Sequence, residues 1–217
     1  MTKLLNKECR IAANPLSFFF IAAAFFTLIP RYPILVGAFF VCLGIFYSFQ
    51  NARESGDIYY SVLLPVKKTD VVKAKYAFTV MIQLISFALT AVLTVLRMTV
   101  LSGAEAYRDN PMMNATPVYL AFVLLIFTLF NTVFLAWHFR TAWKIGVPFI
   151  AFCASAMLLI AAAEALHHFP ALAFLNETQS DKLPLQLAIL AAAAVIYAVS
   201  LIISCRVSEK RFEKIDL

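Results

Sequence analysis

Residues 117–137, PVYLAFVLLIFTLFNTVFLAW, form an apolar stretch without a charged side chain. An α-helix of this length rises about 31 Å, which matches the roughly 30 Å hydrocarbon core of a bilayer. Thr116 is a suitable N-cap residue, and Pro117 suits the first helical position, so a helix start signal precedes the stretch. The stretch is therefore predicted to cross a membrane as a helix.

The composition of the whole chain agrees with a membrane protein. Of its 217 residues, 63% are hydrophobic and 14% are charged, and the mean hydropathy is +0.85. Soluble domains contain about 45–50% apolar and about 25% charged residues. These values exclude a water-soluble globule, a disordered chain and a secreted disulfide scaffold. The four cysteines have no metal-ligand spacing and are expected to be buried or reduced thiols.

Five further apolar stretches flank this one, so the predicted fold class is an all-α membrane protein with six transmembrane helices. The spans are placed at about 16–29, 33–50, 76–101, 117–137, 145–166 and 184–205, within a single domain over residues 1–217. A polar loop over 51–75 separates the second span from the third, and a charged tail over 206–217 follows the last span.

The N-terminal segment differs from the later spans. Residues 2–13 alternate apolar and charged side chains at helical spacing, which predicts an amphipathic helix lying in the membrane interface. The first span is short, because an α-helix over 16–29 rises only about 21 Å. We expect it to thin the bilayer, to borrow length from the preceding segment through a kink at Pro15, or to stop short of the far face.

The basic residues are distributed unevenly between the two predicted sides. Of the 18 Lys and Arg residues, all but Arg31, Arg97, Arg108 and Lys182 fall on the side of the termini. The positive-inside rule therefore places both termini in the cytoplasm, and the expected location is the plasma (inner) membrane. The net charge of +6 arises from these span flanks and not from a basic stripe, so no nucleic-acid partner is expected.

The 51–75 loop is the first candidate for function, because it is too apolar for a solvated linker. Its tyrosines, Tyr59 and Tyr60, stand among aliphatic and acidic residues, and Pro65 is expected to end a short helix there. A short amphipathic helix on a cytoplasmic loop can dock into the groove of a soluble partner. It can equally lie on lipid with its polar face in water.

At this loop the chain resembles a known family. The run LLPVKKTDVVKAKY over 63–76 is similar to the segment that follows the second span in small ABC-2 type permeases. The amphipathic N-terminal helix, the six-span layout, the lack of soluble domains and the charged ending EKRFEK over 209–214 agree with that family. The resemblance covers nearly the whole chain.

The resemblance implies a transmembrane subunit of an ATP-driven transporter, in which two permeases, identical or related, pair with two separate nucleotide-binding ATPase subunits. The helix before Pro65 would be the coupling helix, and the N-terminal helix would add a second contact. The residues assigned to ATPase coupling are Glu54, Asp57, Tyr59, Tyr60, Leu63 and Leu64. None of the five glycines is followed by Lys-Ser or Lys-Thr, so ATP and Mg²⁺ are expected on the partner subunit. By itself the chain is expected to bind no cofactor and to be no enzyme.

Polar residues near the predicted outer ends of the spans form a second candidate site, for substrate contact or an outer gate. Glu164 and His167 have the i, i+3 spacing that places both on one helix face, and His168 follows. Arg97, at a similar predicted depth, is expected to pair with Glu164. No metal site is predicted, because bundle di-metal sites need a second Glu-x-x-His, which the chain lacks. His138 is placed in a solvated cytoplasmic turn after the fourth span.

Three functions compete at this point. The first is the permease subunit of an exporter, which forms the substrate pathway as a dimer in the lipid bilayer. The second is a non-transporting membrane scaffold or sensor whose loop recruits a cytoplasmic partner. The third is an intramembrane enzyme that uses Glu164, His167 or His168, although no Ser, Cys or second acidic residue converges on them at comparable depth.

Overall fold

The computed structural model describes residues 2–63, 65–108, 110–141, 144–178 and 180–215, and every regular element in these ranges is helical. The helices are α1 (Thr2–Lys7), α2 (Pro15–Phe19), α3 (Val36–Glu54), α4 (Asp57–Leu63), α5 (Lys68–Thr99), α6 (Glu105–Arg108), α7 (Pro117–Leu129), α8 (Ala136–Thr141), α9 (Gly146–Leu166) and α10 (Leu183–Glu213). Additional π-helical turns cover Glu8–Ala12 and Phe130–Leu135, and 3₁₀ segments cover Phe20–Leu28, Pro170–Leu175 and Ser180–Lys182. The predicted all-α class is confirmed.

Among the described residues, four helices are long and apolar enough to cross a membrane. They are Lys68–Thr99, Pro117–Thr141, Gly146–Leu166 and Leu183–Glu213. The bent pair Lys3–Ala12 and Pro15–Leu28 adds a fifth if it forms one span. Helix α3 is less apolar, because its last turns carry Gln50, Asn51, Arg53 and Glu54. The count of six spans therefore stays a prediction.

A bend of 98° separates α1 and its π turn from the α2 segment, residues 15–28. Asn14 caps this segment, because its side chain accepts a hydrogen bond from Leu16 N at 3.0 Å, and Pro15 occupies the first turn. After five α-helical residues, nine residues continue as a 3₁₀ helix, which rises about 2.0 Å per residue instead of about 1.5 Å. The segment therefore reaches about 25 Å, compared with about 21 Å for an α-helix of the same length.

Helix α3 packs closely against the α2 segment at two glycines. A Cβ on Gly37 would lie 2.7 Å from the Ala23 carbonyl oxygen, and a Cβ on Gly44 would lie 3.0 Å from Phe20 Cβ. Ser17 Oγ donates to the Gly44 carbonyl at 2.5 Å. The absence of a side chain at both positions is what allows the two backbones to approach.

Two long helices extend beyond the predicted spans. Helix α5 begins at Lys68, inside the predicted loop, because Val71 and Val72 pack into the core. Helix α10 continues through most of the predicted tail, because the buried Phe212 ring packs against Phe139 with ring centroids 5.7 Å apart. At the end of α10, Lys210, Arg211 and Glu213 are exposed, whereas Lys75 near the start of α5 is buried.

The helix formed by α7, its π turn and α8 is the centre of the bundle. Its apolar stretch is 67% buried, compared with 17% for α10, which presents aliphatic side chains outward as a helix facing lipid does. The bundle has two polar ends. Helices α1 and α4 lie at one, which we call the α4 end. The described segments over 100–108, 110–116, 167–178 and 180–182 lie at the other, which we call the far end.

Candidate functional site

A tight turn places α4 directly after α3. Gly56 has a φ of 65°, in the left-handed region that glycine reaches without a steric penalty. Its N–H donates to the Arg53 carbonyl at 3.2 Å, and the Ser55 N–H donates to the Asn51 carbonyl at 3.0 Å. These bonds satisfy carbonyl groups at the end of α3, and α4 begins at the next residue, Asp57.

Helix α4 has one buried face and one exposed face. Ile58 and Ser61 are 5% and 1% exposed and pack on the bundle, whereas Tyr60 and Leu63 are 69% and 82% exposed. Tyr59 is half-exposed. Large apolar side chains that project together from a polar end of a protein are typical of a docking surface for a partner.

The other residues assigned to coupling lie elsewhere. Glu54 stands at the end of α3, where its carboxylate accepts a hydrogen bond from Gln50 at 3.1 Å. Leu64 lies outside the described residues. Asp57 is only 7% exposed and points into the bundle, because two lysines bind its carboxylate. The structure therefore places Asp57 away from the docking surface where the resemblance put it.

Asp57 is part of the α4 ion cluster, which consists of Lys7, Glu8, Asp57 and Lys75. Lys75 Nζ lies 2.9 Å from Glu8 Oε2 and 2.9 Å from Asp57 Oδ2. Lys7 Nζ lies 2.6 Å from Asp57 Oδ1 and 3.0 Å from Glu8 Oε1, and it donates to Ser61 Oγ at 2.6 Å. Two ammonium groups thus balance two carboxylates, and the cluster joins the N-terminal helix, α4 and α5.

Burial makes the α4 ion cluster sensitive to the loss of any member. The side chains of Glu8, Asp57 and Lys75 are 4%, 7% and 3% exposed. Burial raises the pKa of Asp57, but the charges of Lys75 and Lys7 outweigh it and hold that pKa below its ordinary value. Removing one partner of a buried ion pair leaves an uncompensated charge, which costs about 3–5 kcal/mol. The cluster is therefore a firm attachment of α4 to the bundle.

One sequence signal pointed to this cluster. Lys75 lies on the same helix face as the buried Val71 and Phe78, so a lysine occupies the apolar face of α5. Its partners Glu8 and Asp57 lie 67 and 18 residues away along the chain. Pairing rules for neighbouring residues on a helix do not reach that far.

A second polar network lies within the apolar bundle. Gln83 on α5 and Asn131 in the central π turn exchange two hydrogen bonds of 3.2 and 3.1 Å. Tyr197 on α10 donates to Gln83 Oε1 at 2.8 Å. Ser204 Oγ donates to the Asn131 carbonyl at 2.6 Å and lies 2.8 Å from the Tyr76 hydroxyl. These bonds tie α5, the central helix and α10 together, and no spacing rule indicated them.

At the far end, the expected ion pair between Arg97 and Glu164 is absent. Glu164 Oε2 accepts a hydrogen bond from Met113 N at 2.9 Å, while Oε1 is buried without a partner among the described atoms. Arg97 donates to the Thr27 carbonyl at 2.7 Å and to Asn114 Oδ1 at 3.4 Å. The prediction was wrong because the chain at Met113 and Asn114 contacts both groups and lies between them.

The histidines occupy two different environments. His167 Nε2 lies 3.3 Å from the Pro111 carbonyl oxygen, and its ring lies 4.2 Å from that of His168. His167 Nδ1 is buried and has no described partner. His138 is 1% exposed, with its ring 5.1 Å from the Phe49 ring. Its predicted exposure was wrong, because α8 continues the central helix into the core.

In the ranges that the structure describes, no three His, Cys, Asp or Glu residues are grouped to hold a metal ion. All four cysteines, Cys9, Cys42, Cys153 and Cys205, are free. The arrangement is suited to docking a partner on α4 and to linking that helix with the spans.

Comparison with known proteins agrees with this architecture. A family described as "ABC-2 family transporter protein" matches residues 3–209, which include α4, the whole α4 ion cluster and, except for the last four residues of α10, the long apolar helices that the structure describes. No curated protein and no solved structure matches the chain. Because the family match covers nearly all of a multi-pass helical bundle, this chain belongs to the ABC-2 family, as the membrane component of a transporter and not as a catalytic subunit.

Proposed function

We propose that the chain is the permease subunit of an ATP-driven exporter in the plasma (inner) membrane, with six spans and both termini in the cytoplasm. Two copies, or this chain and a close relative, form the substrate pathway, and two separate ATPase subunits bind ATP and Mg²⁺. Membership of the ABC-2 family supports the transport function. The excess of basic residues on the side of the termini supports the orientation.

The observation that carries this proposal is the contrast between the two faces of α4. Tyr60 and Leu63 project from the bundle, while Asp57 binds Lys7 and Lys75 behind them. An ATPase that grips the exposed face moves α4. Through the buried ion pairs, α4 moves the start of α5 with it.

Helix α5 then carries the movement across the membrane. It is one continuous helix of 32 residues, about 48 Å long, that begins beside α4 and ends at the far end. Tyr197 of α10 is bonded to Gln83 of α5, and Ser204 of α10 lies 2.8 Å from the Tyr76 hydroxyl of α5. A displacement of α5 therefore displaces α10. Movement of these two helices changes the shape of the substrate pathway.

The test is purification of the chain from native membranes, followed by an ATPase assay. We expect it to co-purify with a nucleotide-binding subunit in nearly equal amounts. The double substitution Tyr60→Ala and Leu63→Ala should reduce subunit association and transport-linked ATP turnover about tenfold or more, because a few buried anchors, tyrosine often among them, dominate interface energy.

Phe169→Ala is the matched control, since Phe169 is 59% exposed but lies at the far end. It should leave association and ATP turnover unchanged. The proposal would be contradicted if the chain purifies alone and no ATP turnover depends on it. A double variant that retains full coupling would contradict it as well.

A further inference from the structure

Arg97 is a buried cation without a counter-charge among the described residues. It is 4% exposed and belongs to the last turn of α5. Its guanidinium donates to the Thr27 carbonyl at 2.7 Å and to Asn114 Oδ1 at 3.4 Å, and its central carbon lies 4.5 Å from the Tyr107 ring centroid. None of the ion pairs in the described ranges includes it. These two neutral oxygens accept hydrogen bonds from the guanidinium but leave its charge unbalanced.

A polar groove of about 220 Å³ lies against this guanidinium. Its polar lining comes from Arg97, Ser102, Tyr107, Asn114 and Thr178. The groove is several times the roughly 30 Å³ that one water molecule occupies in the liquid, so a carboxylate or phosphate group fits within it. The hydroxyl of Thr178 can donate a hydrogen bond to such a group. The hydroxyl of Ser102 donates to the Thr99 carbonyl at 3.1 Å and can rotate to donate to the anion instead.

Lys75 is the other buried cation among the described residues, and it has counter-charges. Its ammonium group lies 2.9 Å from two carboxylates, whereas the guanidinium of Arg97 borders a groove and no described carboxylate. We propose that the Arg97 groove binds an anionic group, a phosphate or a carboxylate, that comes from a lipid headgroup or from a soluble molecule. The planar guanidinium fork matches both groups. The groove lies at the opposite end from α4, so this binding is separate from ATPase coupling.

The test measures anion binding to the full-length chain in lipid nanodiscs. In discs of phosphatidylcholine alone, calorimetric titration with inorganic phosphate reports binding of a soluble anion. In discs that also contain phosphatidylglycerol, native mass spectrometry of the released protein counts retained anionic lipid. Binding in either experiment supports the proposal and identifies the source. Absence of binding in both overturns it.

Variants assign the binding to the groove. Arg97→Gln should weaken the affinity about tenfold or more, because hydrogen bonds to charged groups are the strong ones. The pair Ser102→Ala and Thr178→Val should weaken it severalfold while leaving the described contacts of Arg97 in place. This pair keeps the test valid if Arg97→Gln does not fold. Unchanged affinity in the variants that fold overturns the proposal.

Two further variants complete the experiment. Arg31→Gln removes an exposed arginine at the same end and should leave the affinity unchanged. Asp109, an acidic residue close to Tyr107 in sequence, lies outside the described residues. Binding that appears only in Asp109→Asn overturns the proposal, because Arg97 would then be neutralised within the chain.

Discussion

The two ends of the bundle bury charge in opposite ways. At the α4 end, Lys75 Nζ lies 2.9 Å from two carboxylates, and the four charges of the cluster balance. At the far end, Arg97 meets neutral oxygens, and Glu164 Oε1 and His167 Nδ1 have no described partner. A fully paired cluster resists rearrangement, because any displacement leaves a charge unpaired in a low dielectric. A partly paired one is suited to receive a ligand, a water molecule or a proton.

Lys75→Met tests the α4 end most severely. It leaves Glu8 and Asp57 with one lysine between them, so we expect the free energy of unfolding to fall by about 3–5 kcal/mol. Thermal unfolding of the purified chain in detergent measures the loss. Lys73→Met is the control, because Lys73 is 43% exposed and lies 3.8 Å from Glu209, and exposed pairs contribute about 1 kcal/mol or less. Similar losses in both variants would contradict the firm attachment of α4.

Gln83→Leu tests whether the buried polar network of Gln83, Asn131 and Tyr197 stabilises the bundle, as the α4 ion cluster is expected to do. The substitution removes three hydrogen bonds and leaves Asn131 and Tyr197 with unsatisfied buried groups. We expect a loss of about 1–3 kcal/mol, from the same thermal unfolding measurement. Thr99→Val, at an exposed position of the same helix, should change stability little. A neutral Gln83→Leu would show that the hydrogen bonds of Gln83 contribute nothing measurable to the attachment of α5 to α10.

The interior of the long spans could be predicted from the sequence, but the cytoplasmic-side ends predicted for α5 and α10 were too short. The stretch 145–166 was predicted, and α9 covers Gly146–Leu166, because an apolar run free of charges leaves few alternatives to a helix. Helix α5 begins at Lys68, before its apolar stretch, and α10 includes Phe212, beyond its apolar stretch. Their positions depend on which side chains pack beneath them, and sequence periodicity does not contain that information.

The exposed residues of the candidate site could be predicted from the sequence, but its buried residue Asp57 could not be placed. The apolar character of Tyr59, Tyr60 and Leu63 on a polar loop indicated a docking surface, and the structure exposes all three. The inward position of Asp57 was not predictable, because it depends on a lysine 18 residues away on another helix. Exposed apolar residues on a polar loop leave a local signal in the sequence, whereas the position of a buried charge depends on partners that only the fold brings together.

Asp57 also gives the α4 end a distinctive response to acid. Its pKa is lowered in the folded chain, so its stabilising effect is complete above the ordinary aspartate pKa of about 3.9. The effect is lost as the pH falls through the lower folded pKa, by at most about 1.4 kcal/mol per pH unit. The stability difference between wild type and Asp57→Asn should therefore shrink below about pH 4. Unfolding in denaturant across this pH range measures it.

Asp181→Asn serves as the control substitution, because Asp181 is exposed at the far end and exposed substitutions usually change the free energy of unfolding little. A difference for Asp57→Asn that is constant with pH would mean that the two lysines do not hold the Asp57 pKa down in the folded chain.

Glu164→Gln and Glu8→Gln make the same chemical change at the two ends. At the far end the amide oxygen of glutamine can still accept from Met113 N, and only a carboxylate oxygen without a described partner is lost. We expect a change in the free energy of unfolding of less than about 1 kcal/mol. Glu8→Gln removes a charge 2.9 Å from Lys75 and should cost several times more. Equal losses would mean that Glu164 is as firmly paired as Glu8. The far end would then bury its charges in the same way as the α4 ion cluster.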